Sequence, residues 1–136
     1  MKGNYKKTTE IILEVVCYIE EHITEKLTVG DIARQVYLSQ AHLQRVFEFA
    51  FDVPIAEYIR SRKLQKSLEM LYETDAKISE IAYDIGFEHE SSYIRSFKRE
   101  FGITPGEARK APRSIPVIPA IQMIDQIEKE QRRREQ

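Results

Sequence analysis

The chain has 136 residues, 42% of them hydrophobic and 32% charged, proportions that fit one folded domain or two very small ones rather than a disordered polymer. Its 21 basic and 22 acidic side chains leave a net charge of −1, so bulk charge gives no sign of nucleic acid and the distribution has to be read instead. No apolar run is long enough to span a membrane, MKGNYKKTTE lacks the apolar core of a signal peptide, and the lone Cys17 excludes an internal disulfide, so a cytoplasmic protein with no membrane partner is expected.

Strand signals are nearly absent, and helical periodicity recurs along the chain. Helix 1 is expected from Thr8 or Thr9 to about Ile23, with Ile12, Val15, Val16, Ile19 and Ile23 on one face and glutamates away from it. Helix 2 follows Thr28, a hydroxyl cap with Asp31 as a box-like partner. Ser39 is a good N-cap for helix 3, about Gln40 to Phe51. Asp52-Val53-Pro54 breaks the chain, and helix 4 then runs from about Pro54 to Tyr72. Helix 5 is expected at about Ile78 to Ile85 and helix 6 at about His89 to Phe101. Thr104-Pro105 opens a short helix 7. APRSIPVIP reads as an extended linker, because residues before proline avoid the α region. The fold class is therefore all-α, with seven helices and a C-terminal tail.

A repeat lies inside this order. Ile32-Ala33 recurs 49 residues later as Ile81-Ala82, and Arg45, Phe47 and Phe51 recur 50 later as Arg95, Phe97 and Phe101. Two copies of one helix–turn–helix unit, joined by a long linking helix, account for this. The domain then covers 8–110, divided into 8–53, a linking helix 54–73 and 74–110, with 111–136 as linker and tail.

On a wheel of helix 3, Val46, Phe47 and Ala50 fall within about 60° of Leu43, leaving Ala41, Gln44, Arg45 and Glu48 opposite. In helix 6 the core side is Tyr93, Phe97 and Phe101, and Ser91, Ile94, Arg95 and Lys98 face out. Each second helix thus offers an arginine among small, amide-bearing or apolar neighbours. Arginine pairs bidentately with guanine, glutamine with adenine, and an apolar group meets the thymine methyl. A linking helix of some 18 residues is a rod of roughly 27 Å, which suits recognition helices about one DNA turn apart. Arg60, Arg62, Lys63 and Lys66 in helix 4, with Lys98 and Arg99 in helix 6, suit phosphate contacts.

The stretch EIAYDIGFEHESSYIRSFKREFGITPGEARK resembles the signature of the AraC/XylS family of bacterial transcription regulators, through Ile81, Ala82, Gly86, Phe87, Ser91, Tyr93, Arg95, Phe97, Lys98, Gly102, Thr104 and Pro105. HLQR and YIRSRK in the first unit are similar to the small stress-response members typified by the multiple-antibiotic-resistance activator MarA. The resemblance implies a DNA-binding transcription factor, usually an activator, with RNA polymerase as a further partner. Base contacts carried over by position fall on Ala41, Gln44 and Arg45, and on Ser91, Ser92 and Arg95, with Ile94 alongside. The chain departs from the pattern at Ala41, where relatives are often bulky, at Glu48, where a basic residue is common, and at Tyr37 and Asp52, which stand where the second unit has Gly86 and Gly102. The first unit is expected to be the weaker reader. The tail resembles the entry to a C-terminal ligand-binding module in longer members, so a small-molecule effector is expected only with such a module. Ile118, Ile121, Ile124 and Ile127 repeat every third residue, as a docking or pairing helix does.

His22, His42 and His89 have no metal-ligand spacing with Cys17 or with one another, and no phosphate-cradling loop, nucleophile elbow or carboxylate pair is apparent. The expectation is neither enzyme nor metal nor cofactor protein, with Cys17 as a structural thiol beside the buried stripe. The competing reading is an interaction module that contacts RNA polymerase or a partner and binds DNA poorly. Net charge, Glu48 and Tyr37 favour it, and the paired arginines oppose it.

Overall fold

The computed structural model describes residues 8–118 and, beyond them, Gln122, Asp125, Glu128, Lys129, Arg132 and Arg133. The described residues form seven helices in the order α1 (Thr8–Glu21), α2 (Val29–Gln35), α3 (Gln40–Phe51), α4 (Ile55–Glu73), α5 (Ile78–Asp84), α6 (Glu90–Phe101) and α7 (Pro105–Lys110). The all-α expectation holds, and the helix bounds agree with the periodicity to within a residue or two. They divide into two compact units. The first comprises residues 8–21, Leu27–Tyr58 and the described tail positions, and the second comprises His22–Lys26 and Ile59–Ile118. The proposed tail helix, apart from Ile118, rests on isoleucines outside the described residues.

In the first unit α1 packs on α2 and α3, and α2 on α3. Ile12, Val15, Val16 and Ile19 of α1 are buried, the i, i+3, i+4, i+7 stripe of an amphipathic helix. Cys17, one position past that stripe, is exposed; it is not a buried structural thiol. Thr28 caps α2 by accepting from Asp31 N at 3.0 Å. The Asp31 carboxylate turns to Arg34 instead of closing a capping box.

The second unit is built around Leu64, Leu68, Leu71, Ile81, Ile85, Tyr93 and Phe97. Its α7 opens with a full capping box: Thr104 Oγ1 accepts from Glu107 N at 3.2 Å, and Glu107 Oε1 accepts from Thr104 N at 3.0 Å. That pair holds the Glu107 carboxyl below its ordinary range, because the accepted hydrogen bonds favour the charged form. Arg109 of α7 reaches back to the end of α4 and the loop after it, donating to the carbonyls of Leu71 (3.2 Å), Thr74 (3.2 Å) and Ala76 (2.6 Å). Leu71 and Thr74 lie at the α4 C-terminus, where carbonyls lack intrahelical partners, and Ala76 lies in the loop before α5.

The stretch after α7, expected as an extended linker, is docked as far as Ile118. A turn closed by Ser114 N to Ala111 O at 3.1 Å, with Arg113 at φ 67°, sends the chain back over α4. Ile115 and Val117 then pack on the core of the second unit. Pro112 lies inside that turn rather than in an extended run, and the alternation of Ile115 and Val117 gives the segment after it an apolar edge to bury.

Candidate nucleic-acid interface

Helix α3 starts where the sequence places it because Ser39 Oγ accepts from His42 N at 3.1 Å. Its rotation is set by Leu43 and Phe47, both 0% exposed, and by the packing of the Phe47 ring on Phe51 (4.5 Å) and Tyr58 (5.0 Å). Rings at these separations contribute beyond the area they bury. With that side fixed inward, Ala41, Gln44, Arg45 and Glu48 are all exposed.

The same construction recurs in α6. Tyr93 and Phe97 are fully buried, and the ring series Phe87–Tyr93–Phe97–Phe101 runs at 5.6, 5.8 and 4.6 Å. Ser91, Arg95, Lys98 and Arg99 are exposed, whereas Ser92 and Ile94 are half-buried at the margin of the face. Among the described residues neither Arg45 nor Arg95 has a hydrogen-bond or ion-pair partner. Each unit therefore carries an arginine on a rigid helix, beside polar groups, with its donors uncommitted.

The helices differ in their ends. Glu90 lies in the first turn of α6 and Lys98 and Arg99 in its last, whereas α3 has no acidic residue in its first turn and no basic one in its last. Charges so placed complement the helix dipole. The turn residues differ as well. Tyr37 and Asp52 hold left-handed backbone at φ 58° and 64°, where the second unit has Gly86 at 94° and Gly102 at 84°. A side chain in that region costs about 1–2 kcal/mol, less for aspartate.

The basic residues expected on phosphates separate into two groups. Arg60, Lys98 and Arg99 are exposed, and Lys66 is half-exposed in a loose pair with Glu69 at 3.4 Å. Arg62 is not on the surface: it is 7% exposed and donates to Ile118 O at 2.9 Å. Lys63 donates to Ile23 O at 2.7 Å and Glu25 O at 2.8 Å. Burial pushes its ammonium below the usual lysine range, with Glu25 opposing. Helical phase marks Arg62 but does not separate Lys63 from Lys66, which lies on the same stripe as Arg62. Arg62 falls on the stripe of Tyr58, Ile59 and Gln65, all buried, a period that a count of basic residues ignores.

Residues 32–111 match the family described as helix-turn-helix domain. The chain is 34% identical over 97 residues to the transcriptional activator AarP of Providencia stuartii, covering 71% of this chain and 72% of that protein. To the regulatory protein SoxS of Escherichia coli K12 it is 32% identical over 100 residues, 74% of this chain and 94% of SoxS. One further relative at 33% identity is much longer, and this chain spans 35% of it. The crystal structure of an AraC-type transcriptional regulator from Chromobacterium violaceum superposes with a TM-score of 0.75 at 26% identity, over 80% of this chain and 97% of that one. A family match across most of the chain, carried on two repeated units with outward arginines, leads to one assignment: this chain belongs to the AraC-type helix-turn-helix family of DNA-binding transcription regulators.

Proposed function

We propose that the chain is a sequence-specific transcription activator that reads an asymmetric promoter site by setting α3 and α6 into successive major grooves. The observation that carries this is the repetition of an exposed arginine, Arg45 on α3 and Arg95 on α6, each on the side away from buried residues, Leu43 and Phe47 in α3 and Tyr93 and Phe97 in α6. Arg45 and Arg95 are the guanine readers, Gln44 the adenine reader, and Ser91, Ser92, Ile94 and Ala41 the smaller contacts that let the backbone approach. Arg60, Lys66, Lys98 and Arg99 take phosphates, and Arg62 and Lys63 do not. Activation follows the relative AarP, named as an activator, and requires a surface that meets RNA polymerase.

Titration of binding against salt tests this reading. Each phosphate neutralised releases counterions, so log K falls with log salt by about 0.9 per contact. A steep slope, with preference for one sequence over bulk DNA, is the expected result. A flat slope, or no binding at low salt, would favour an interaction module that contacts polymerase without gripping DNA.

A further inference from the structure

The segment Ser114–Ile118 is seated on α4 by side chains that have no part in the DNA-reading faces. Tyr72 Oη donates to Ile115 O at 3.3 Å and accepts from Ile115 N at 3.2 Å. Gln65 Oε1 accepts from Ile118 N at 3.0 Å, and Arg62 Nη1 donates to Ile118 O at 2.9 Å. Both main-chain groups of both residues are thus paired. Arg62 and Gln65, at 7% and 8% exposure, are polar groups buried to make this contact. Burying a guanidinium and an amide is costly unless their bonds are made, so the seat is built for an extended backbone.

Between the two clamps, Ile115 and Val117 pack against the core cluster that contains Tyr93 and Phe97. Those rings fix the rotation of α6. The strap and the reading helix therefore share one core, and an interior packed to crystal-like density passes a loss on one side to the other.

We propose that Ser114–Ile118 is a regulatory strap: seated, it holds α6 in its reading orientation, and a partner or a pull on the chain beyond Ile118 that lifts it weakens reading by the second unit. The Ile-Pro-Val-Ile sequence suits this. Proline keeps the segment extended and cheap to order, while its apolar residues alternate onto one side. A strap held by main-chain bonds and two apolar side chains is also easily displaced as a unit, which a regulatory element needs.

The proposal rests on the DNA-binding reading, so its test has a readout that requires no DNA. Amide hydrogen exchange is measured on the full chain, wild type and Ile115→Ser/Val117→Ser. Exchange in α6 should quicken by about tenfold or more while α1 to α3 keep their rates, and affinity for DNA should fall severalfold with the loss confined to the α6 half-site. Tyr72→Phe keeps the ring and the core and removes only the two bonds to Ile115. It should speed exchange at Ile115 and, to a smaller degree, in α6. Fast exchange at Ile115 with unchanged exchange in α6 would overturn the coupling. Quickened α6 exchange with unaltered DNA affinity would overturn the regulatory role while leaving the DNA-binding reading intact.

Discussion

Tyr37 and Gly86 occupy the same left-handed turn, at φ 58° and 94°, in the two helix–turn–helix units. Tyr37 is 90% exposed and offers no packing in return for that backbone. Tyr37→Gly should therefore stabilise the protein by about 1 kcal/mol. The reverse change is informative too. A Cβ at Gly86 would meet only Lys63 Nζ at 3.5 Å, so Gly86→Ala should lose about 1 kcal/mol through backbone conformation alone. Denaturant midpoints at unchanged slope would check both.

Asp52 and Gly102 form the second such pair, each ending its helix with its backbone N–H donating a hydrogen bond to the carbonyl four residues back. Aspartate tolerates this region better than tyrosine does, so Asp52→Gly should gain less than Tyr37→Gly, about 0.5 kcal/mol. Thermal unfolding of the two variants side by side would order them. Equal gains would mean that the aspartate side chain contributes nothing to its own turn.

Much of this was legible in the sequence, and the exceptions share a cause. The seven helices, the N-caps Thr28 and Ser39 and the outward face of each reading helix follow from periodicity and hydroxyl placement, which are local. The seats of Arg62, Lys63 and the segment Ser114–Ile118 are not legible there, because their partners lie 38 to 56 residues away. An arginine on a buried stripe and a proline-rich segment each look solvent-facing until the distant carbonyl or groove is known. Cys17 failed differently, since adjacency to a buried pair in sequence is a turn of about 100° in space.

Arg62→Met should accordingly behave as a stability variant. It removes the bond to Ile118 O, on a residue 39% exposed, and should cost about 1 kcal/mol of folding free energy. Arg60→Ala should leave stability alone, weaken binding to all sequences alike and reduce the salt slope by about 0.9. Circular dichroism melts beside salt titrations separate the two. A uniform affinity loss in folded Arg62→Met would restore that arginine to the phosphate set.

Tyr93 sets an alkaline limit. Its hydroxyl is buried without a hydrogen bond of full geometry. Burial pushes the phenol up to about 12, and nearby Ser67 and Arg109 offset this only in part. The neutral form is the one the fold prefers, so stability is complete below pH 10, the ordinary tyrosine value, and falls as pH rises toward 12. Tyr93→Phe should flatten that fall and, having no buried hydroxyl to leave unpaired, cost little at neutral pH. Stability measured from pH 8 to 12 on both proteins would show it; identical alkaline limbs would contradict it.

Glu48 is exposed on the α3 face beside Arg45. Under the proposed reading its charge would repel a nearby phosphate and so weaken binding by α3. Glu48→Lys should strengthen binding and steepen its salt dependence. The half-site read by α6 should dominate affinity in the wild type, and footprinting of each half-site would reveal the asymmetry. Equal protection of both, with no gain from Glu48→Lys, would remove the case for a weak first unit.

The central claim is that Arg45 and Arg95 read separate halves of one site. Selection of bound sequences from a random DNA pool tests it most directly, run with wild type, Arg45→Ala and Arg95→Ala. The account predicts an asymmetric two-part motif for the wild type, with each variant losing base preference in one half and about 1–3 kcal/mol of discrimination there. Recovery of no motif, or of the same motif from all three proteins, would contradict it.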